Sequence, residues 1–337
     1  MDYAARITGT GSAFPAKRMT NDDIALKLME VGLETSDEWI RERTGIVERR
    51  ISNVQNQAET NSSLGVRAAH KALEMAGRKP EDIDQIIYAT CSPDTLLPAT
   101  GCWLQSKINA RNAWAMDINA ACSGFVYGTI IAEQFIRTGR SKTVLVVGAE
   151  VLSPFINWHD RTICILFGDG AGAAIVERES VNSPQRIISS HLVSDGKLSE
   201  LLHIPAGGSK MEVTPERYAR NLHKMQMNGR EIFKVAVRTL SECALRSIDE
   251  WGMRVDRLDW FVPHQANLRI IEAVANRIGF PMNKVVINLD RYGNTSAATI
   301  PTALDEAIRD GRIRQGQTVL VDAFGAGLTA GGFLFRW

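Results

Sequence analysis

The sequence predicts an α/β protein made of two copies of one layer unit, stacked as a five-layered αβαβα sandwich. Two observations carry that prediction. Short apolar strand patterns alternate with amphipathic helix patterns, which implies mostly parallel sheet covered on both faces and joined by right-handed crossovers. The order of elements also recurs: Asp84 and Asp259 stand 175 residues apart (259 − 84), and so do Thr143 and Thr318 (318 − 143), each pair in a similar setting. A chain of 337 residues has room for two such units, read here as residues 1–180 and 181–337.

Each element has a local reason. Ala4 to Thr10 reads as a first strand, and Thr20, with Asp23 three residues on, caps a short helix running to Met29. A second short helix starts near Thr35-Ser36-Asp37-Glu38, carries Trp39 and Arg43, and stops at Gly45. Ser62 to Ala76 is amphipathic and is ended by Gly77 and Pro80. The first copy follows: strand Asp82 to Tyr88, helix Thr100 to Ile108, a short buried strand Trp114 to Ile118, helix Ser123 to Arg137 and strand Thr143 to Val147. The second copy runs strand Arg257 to Val262, helix Asn267 to Ile278, strand Val285 to Leu289, helix Ala297 to Arg309 and strand Thr318 to Val321. In both, a glycine-rich turn leads to one more strand, Gly168 to Gly172 into Ala173 to Glu177, and Gly325-Ala326-Gly327 into Gly331 to Arg336. Each copy is thus a βαβαββ unit. Between them, Ile187 to about Gln226 is irregular and polar, an excursion expected to line a cleft. A helix then runs from Glu231 to Trp251 with Phe233, Ala236, Leu240, Ala244 and Ile248 as its buried stripe.

Composition excludes several classes. Lysine and arginine number 39 against 38 acidic residues, so no global field draws the chain to nucleic acid or to an acidic membrane surface. Five cysteines show neither metal-ligand spacing nor the density of a secreted scaffold, which suits a reducing cytosol. The Met1 to Arg6 start lacks a basic segment followed by an apolar core, and no apolar run approaches the roughly 18 residues of a spanning helix. The expectation is a cytoplasmic protein that is not embedded in a membrane.

Open parallel sheets bind ligands at the carboxyl ends of their strands. Cys122 lies there, at the elbow between Trp114–Ile118 and the helix after it, where free backbone N–H groups and the helix dipole favour thiolate over thiol. A small buried apolar residue is the other reading of such a cysteine. His264 and Asn294 follow two strands of the second copy, and a cleft between the copies could bring all three together. A thiolate can take an acyl group while neutral His and Asn N–H groups stabilise an enolate oxygen. A cysteine protease uses the same residue types, but no papain-like signature surrounds Cys122. Gly168 to Ala173 fits a dinucleotide pattern, yet a strand follows it where a helix should start. His70, His159, His191, His203 and His223 share no metal-ligand spacing, and Cys91, Cys102, Cys164 and Cys243 are most simply core.

These residues resemble the β-ketoacyl-acyl carrier protein synthase III family of the thiolase superfamily. The resemblance spans essentially the whole chain, through Thr35 to Ile40, Ala120-Ala121-Cys122-Ser123-Gly124-Phe125, Phe167 to Gly172, His264 to Ile270, Tyr292 to Ala297 and Phe324 to Gly327. It implies a homodimer of the duplicated thiolase fold, which joins an acyl-CoA to malonyl-acyl carrier protein by decarboxylating Claisen condensation and starts fatty acid synthesis. It also implies that Cys122 takes the acyl group, that His264 and Asn294 stabilise the enolate, and that the Cys122 and Ala326 N–H groups hold the thioester oxygen. No metal or other cofactor is implied, since acyl-CoA and the malonyl-carrier are substrates. By the same resemblance Thr35, Trp39, Arg43, Arg161 and Asn267 contact CoA, and Lys234, Arg269 and Arg277 meet the acidic carrier.

Two positions depart from the family pattern. Leu97 stands where acetyl-preferring members often have a phenylalanine that closes the partner's acyl pocket, beside which Phe324 also matches. Ala330 stands where many members have tryptophan. Both changes enlarge something, which keeps open a pathway-specific starter synthase or acyltransferase of secondary metabolism. A degradative thiolase would need a second cysteine after Phe324, and a non-catalytic partner subunit would have lost Cys122.

Overall fold

Asp84 and Asp259 close the two copies in the same way. The Asp84 N–H donates to the Thr143 carbonyl, and its Oδ2 accepts from the Lys142 and Thr143 N–H groups at 2.6 and 3.0 Å. The Asp259 N–H donates to the Thr318 carbonyl, and its Oδ2 accepts from the Thr318 N–H at 2.8 Å. The 175-residue offset is thus a repeat in space. It is seen in a computed structural model that describes residues 3–53 and 58–337; of the N-terminal stretch read above, Met1 and Asp2 lie outside the described residues.

The first half comprises β1 (Tyr3–Ala13), β2 (Arg18–Thr20), α1 (Asn21–Met29), α2 (Asp37–Thr44), β3 (Glu48–Arg50), α3 (Asn61–Ala76), β4 (Gln85–Ala89), α4 (Thr100–Ile108), β5 (Trp114–Ile118), α5 (Gly124–Arg137), β6 (Thr143–Glu150), α6 (Arg161–Cys164) and β7 (Gly170–Ser180). Its main sheet has the order β1-β7-β6-β4-β5, with β4 parallel to both β5 and β6. The second half comprises β8 (Ile187–Ser194), β9 (Leu202–His203), α7 (Pro215–Ala219), β10 (Gln226–Met227), α8 (Gly229–Asp249), β11 (Trp260–Pro263), α9 (Leu268–Ile278), α10 (Leu289–Tyr292), α11 (Thr299–Arg309), β12 (Thr318–Gly325) and β13 (Thr329–Arg336). Its sheet reads β8-β13-β12-β11, the same order one strand short.

The capping signals act as the sequence suggests. Thr20 and Asp23 form a capping box on α1, Ser36 caps α2, and Gly45 ends α2 in the left-handed conformation. Five layers result. Leu64 and Leu73 of α3 and Leu104 of α4 pack on one face of the first sheet, and Leu240 and Ala244 of α8 with Val274 of α9 pack on the far face of the second. Between the sheets, Phe125 and Val126 of α5 share one core with Ile300 and Leu304 of α11, Val146, Val321 and Phe333.

Several expectations change. Single 3₁₀ turns at Pro80–Asp82 and Val255–Arg257 take the first residues of two predicted strands, so β4 and β11 start three residues late. Val285 to Leu289 is not a strand: Val285 makes one bridge to Phe261, and the Gln265 side chain takes the Asn288 N–H in place of a sheet neighbour. Trp114–Ile118 is a half-exposed edge strand rather than a buried one. The excursion from Ile187 begins with eight residues of β8 paired to β13, which makes β8 and α8 the counterparts of β1 and α3. Phe233 leaves the buried stripe of α8 and is exposed, as is Cys102.

Candidate active site

The elbow at Cys122 is built by its neighbours. Asn119 Oδ1 accepts from the Ala121 N–H at 3.1 Å, Ala121 adopts φ +46°, and a 3₁₀ turn over Ala121–Ser123 runs into α5. A side chain at Gly325 would put its Cβ 2.8 Å from both the Cys122 nitrogen and the Ala120 oxygen. Glycine there lets the β12–β13 turn, with Ala326, lie against the elbow.

His264 follows β11 and is buried; its Nδ1 lies 2.7 Å from Thr299 Oγ1, which in turn lies 2.9 Å from the Ser296 carbonyl. Asn294 sits on a loop that crosses to the other half. Its N–H donates to the Leu166 carbonyl at 2.8 Å, and its carbonyl accepts from the Gly168 N–H at 3.0 Å. The Ser296 N–H holds its Oδ1 at 2.8 Å, so what Asn294 can offer a ligand is its amide N–H₂. Cys122, His264 and Asn294 all line one cavity of about 410 Å³, together with Phe324 and Ala326.

Burial is the first determinant of charge here. It lowers His264 to about 3, so the ring is neutral at physiological pH, as the sequence reading requires. Burial also pushes the Cys122 thiol up to about 12, opposed by a hydrogen bond from Ser296 and reinforced by the charge of Glu150. Burial thus acts against the thiolate that the helix terminus favours, and the two bear on the sulfur in opposite directions.

The outer residues divide. The Arg43 and Arg161 guanidinium groups lie 4.2 and 4.3 Å from the centre of the Trp39 ring, and Trp39 and Arg43 line the cavity mouth. Thr35 lies outside the cavity wall. Asn267 lines the cavity, but its side chain is engaged, accepting from the Arg269 N–H and donating to the Arg43 carbonyl. Arg269 is exposed at the rim, Arg277 is exposed one helix face away, and Lys234 pairs with Glu231 at 2.9 Å. Leu97 is 88% exposed and does not touch its own chain's cavity. Ala330 lines a separate cavity of about 370 Å³ that shares Phe324 and Leu328 with the first. Sequence reasoning missed Arg230 and Phe233 in the wall, as well as Ser296 and Thr299 behind it. Arg230 was findable from its i, i+4 spacing to Lys234.

Residues 116–196 match the family described as 3-oxoacyl-[acyl-carrier-protein] synthase III, and residues 248–337 match its C-terminal part. The chain is 48% identical to β-ketoacyl-[acyl-carrier-protein] synthase III of Caldanaerobacter subterraneus, over 99% of this chain and 98% of the relative. It is 47% identical to the enzyme of that name from Clostridioides difficile, over 100% and 99% of the two chains. The crystal structure of 3-oxoacyl-[acyl-carrier-protein] synthase III from Aquifex aeolicus superposes with a TM-score of 0.89 at 42% identity, covering 99% of this chain and 100% of that one.

Proposed function

The chain belongs to the 3-oxoacyl-[acyl-carrier-protein] synthase III family, has its duplicated thiolase fold and is a condensing enzyme that starts fatty acid synthesis, and on that premise we propose how its residues divide the work. Cys122 attacks the thioester of an acyl-CoA and keeps the acyl group while CoA leaves. Malonyl-acyl carrier protein then enters and loses CO₂, and its enolate attacks the acyl-cysteine to give 3-oxoacyl-carrier. The observation that carries this reading is the meeting of Cys122, His264 and Asn294, from two halves of the chain, on one cavity wall. The Asn294 amide donates to the enolate oxygen, and His264 Nε2 joins it once the Thr299 hydroxyl turns its proton from the Ser296 carbonyl to Nδ1, which puts the ring hydrogen on Nε2. The N–H groups of Cys122 and Ala326 hold the thioester oxygen, and the neutral His264 costs no charge reorganisation. The reading requires no metal or redox cofactor.

Trp39, Arg43 and Arg161 take the adenine end of CoA, a flat partner for flat faces. Arg269, Lys234 and Arg277 receive the acidic carrier, joined by Arg230 at the rim. The protein works as a homodimer through the open edge of β5: Leu96, Leu97, Trp103 and Trp114 are exposed beside that edge, and burial against a second copy would cover them. There Leu97 closes the partner's acyl pocket, and being smaller than phenylalanine it leaves room for longer or branched primers. Among the described residues no helix is long and apolar enough to cross a membrane, and the enzyme works in the cytoplasm. The pathway-specific starter synthase or acyltransferase is not favoured, because the relatives matched end to end bear the name of the fatty acid enzyme.

Intact-mass spectrometry tests the reading. Acyl-CoAs from acetyl to branched and medium chains should add one acyl mass to the wild type and none to Cys122→Ala, and malonyl-carrier should discharge it as 3-oxoacyl-carrier. Loading without discharge, or loading of Cys122→Ala, would contradict it.

A further inference from the structure

Ser296 stands behind both side chains that serve the enolate. Its N–H holds Asn294 Oδ1 at 2.8 Å, which leaves the amide N–H₂ for the ligand. Its carbonyl takes the Thr299 N–H and, at 2.9 Å, the Thr299 hydroxyl, whose oxygen lies 2.7 Å from His264 Nδ1. The N–H bond remains when the hydroxyl turns to Nδ1, so Thr299 keeps its place while the ring hydrogen sits on Nε2. The placement of both donors thus depends on one residue.

That residue is held in turn from the other half of the chain. Ser296 Oγ donates to Glu150 Oε1 at 3.1 Å. Glu150 ends β6 and is fully buried. Its Oε1 also accepts from Cys91 Sγ at 3.3 Å, its Oε2 accepts from Thr90 Oγ1 at 3.1 Å and from Ser92 Oγ, and the Cys91 N–H reaches both oxygens at 3.2 Å. Ser92 Oγ already accepts from the Val151 N–H and from Asn61, and Thr90 Oγ1 accepts from Asn61 and the Ser92 N–H, so both hydroxyl protons point to Glu150. A carboxylate faced only by donors is the ionised form, and a hydrogen bond to it is roughly twice as strong as a neutral one. The β6 backbone lies close against the same elbow: a Cβ at Gly148 would come 2.2 Å from the Ala297 oxygen.

The hydroxyl is not needed to make the turn. Ser296 is left-handed at φ +50°, and Ala121, its match in the first copy, holds the same conformation at φ +46° without one. A strained residue whose hydroxyl is fixed on a buried charge points to a task beyond the turn itself. We propose that Glu150 is a positioning residue for the second half of the reaction: through the Ser296 hydroxyl it fixes the elbow that carries Asn294 and seats Thr299 against His264, and so keeps both donors on the enolate oxygen. Neither Glu150 nor Ser296 lines the cavity, so both act through other residues, and no bond of the substrate is made or broken at either.

The proposal rests on the roles proposed for Cys122, His264 and Asn294, so the experiment follows the two half-reactions apart. Rapid-quench intact mass would record loading from the acyl-CoA that reacts fastest with the wild type, then discharge of the preloaded enzyme by a concentration series of malonyl-carrier. The variants are Ser296→Ala, for which Ala121 is the precedent, Glu150→Ala, and the two combined. The expected result is a maximal discharge rate lowered about 100-fold in each single variant, at least about tenfold more than any loss in loading, with the half-saturating malonyl-carrier concentration within about threefold of wild type. The double variant should discharge no slower than the slower single one, because both substitutions break the same bond. A discharge loss below about tenfold, or one less than about tenfold beyond the loading loss, would overturn the proposal. So would a loss that appears as weaker half-saturation, or losses that multiply in the double variant. Should Glu150→Ala fail to fold by circular dichroism, Ser296→Ala, which breaks the bond from its other side, decides alone. A wild type that never loads, or loads and never discharges, overturns the function itself, and the positioning role with it.

Discussion

The two elbows of the molecule are copies that have taken opposite roles. Asn119 and Asn294 are 175 apart (294 − 119), as are Ala121 and Ser296 (296 − 121). In each half the asparagine Oδ1 accepts from the N–H two residues on, that same residue is left-handed, and a 3₁₀ turn leads into a helix of the middle layer. The position matching Cys122 is Ala297, buried and without a nucleophile. What the second elbow supplies instead is the Asn294 amide. On the proposed mechanism one local design thus positions a nucleophile in one half and hydrogen-bond donors in the other, and the difference goes with which way each asparagine faces: Asn119 is exposed, whereas Asn294 is buried at the cavity.

The largest expected effect breaks the pair at its asparagines. Asn294→Ala should lower the condensation rate about 10²- to 10³-fold, the usual cost of one oxyanion donor, while Asn119→Ala should cost about 1 kcal/mol of stability and leave turnover near wild type. Steady-state kinetics with urea unfolding of both variants would check this; equal kinetic losses would mean that both turns act only as scaffold.

A second contrast lies in pH. His264 has its folded pKa lowered from 6.5 to about 3, so its stability is whole above 6.5 and falls towards pH 3, by up to about 1.4 kcal/mol per pH unit, as the unfolded chain takes up the proton. Cys122 has its folded pKa raised from 9.0 to about 12, so its contribution is whole below 9 and falls as pH rises towards 12. The whole fold should therefore weaken at both ends of the scale, through His264 in acid and through Cys122 in alkali. Denaturation at a series of pH values should show a flatter acid limb in His264→Gln and a flatter alkaline limb in Cys122→Ala.

The smallest effect concerns the matched aspartates. Asp84→Ala breaks two side-chain bonds to backbone N–H groups and Asp259→Ala breaks one. Each bond contributes about 0.5–1.5 kcal/mol, so the first substitution should lower the melting temperature more than the second.

Much of this was legible in the sequence. The repeat, the caps at Thr20 and Ser36, the α4 and β5 limits and the Cys122, His264 and Asn294 set follow from spacing and turn chemistry. What escaped was decided by partners remote in sequence. Val285 to Leu289 has a strand's composition, but the Gln265 side chain claims the Asn288 N–H. Trp114 to Ile118 has a core strand's composition yet lies at the sheet edge, because composition does not tell whether a strand has a neighbour on each side. The environment of Cys122 is set first by burial and then by Ser296 and Glu150, which approach from other strands and loops and so leave no trace in the local sequence.

The crossing of Asn294 to Leu166 and Gly168 has a further consequence, for cooperativity. These two bonds stitch the halves beside a middle layer in which α5 and α11 share one interior. Each half has an outer core of its own but shares the middle one, so the chain cut near residue 180 would yield two fragments with one bare face each rather than two domains. Heating should accordingly melt both layers in a single transition, and the catalytic seam would be among the last parts to exchange its amide hydrogens, since opening it means opening everything.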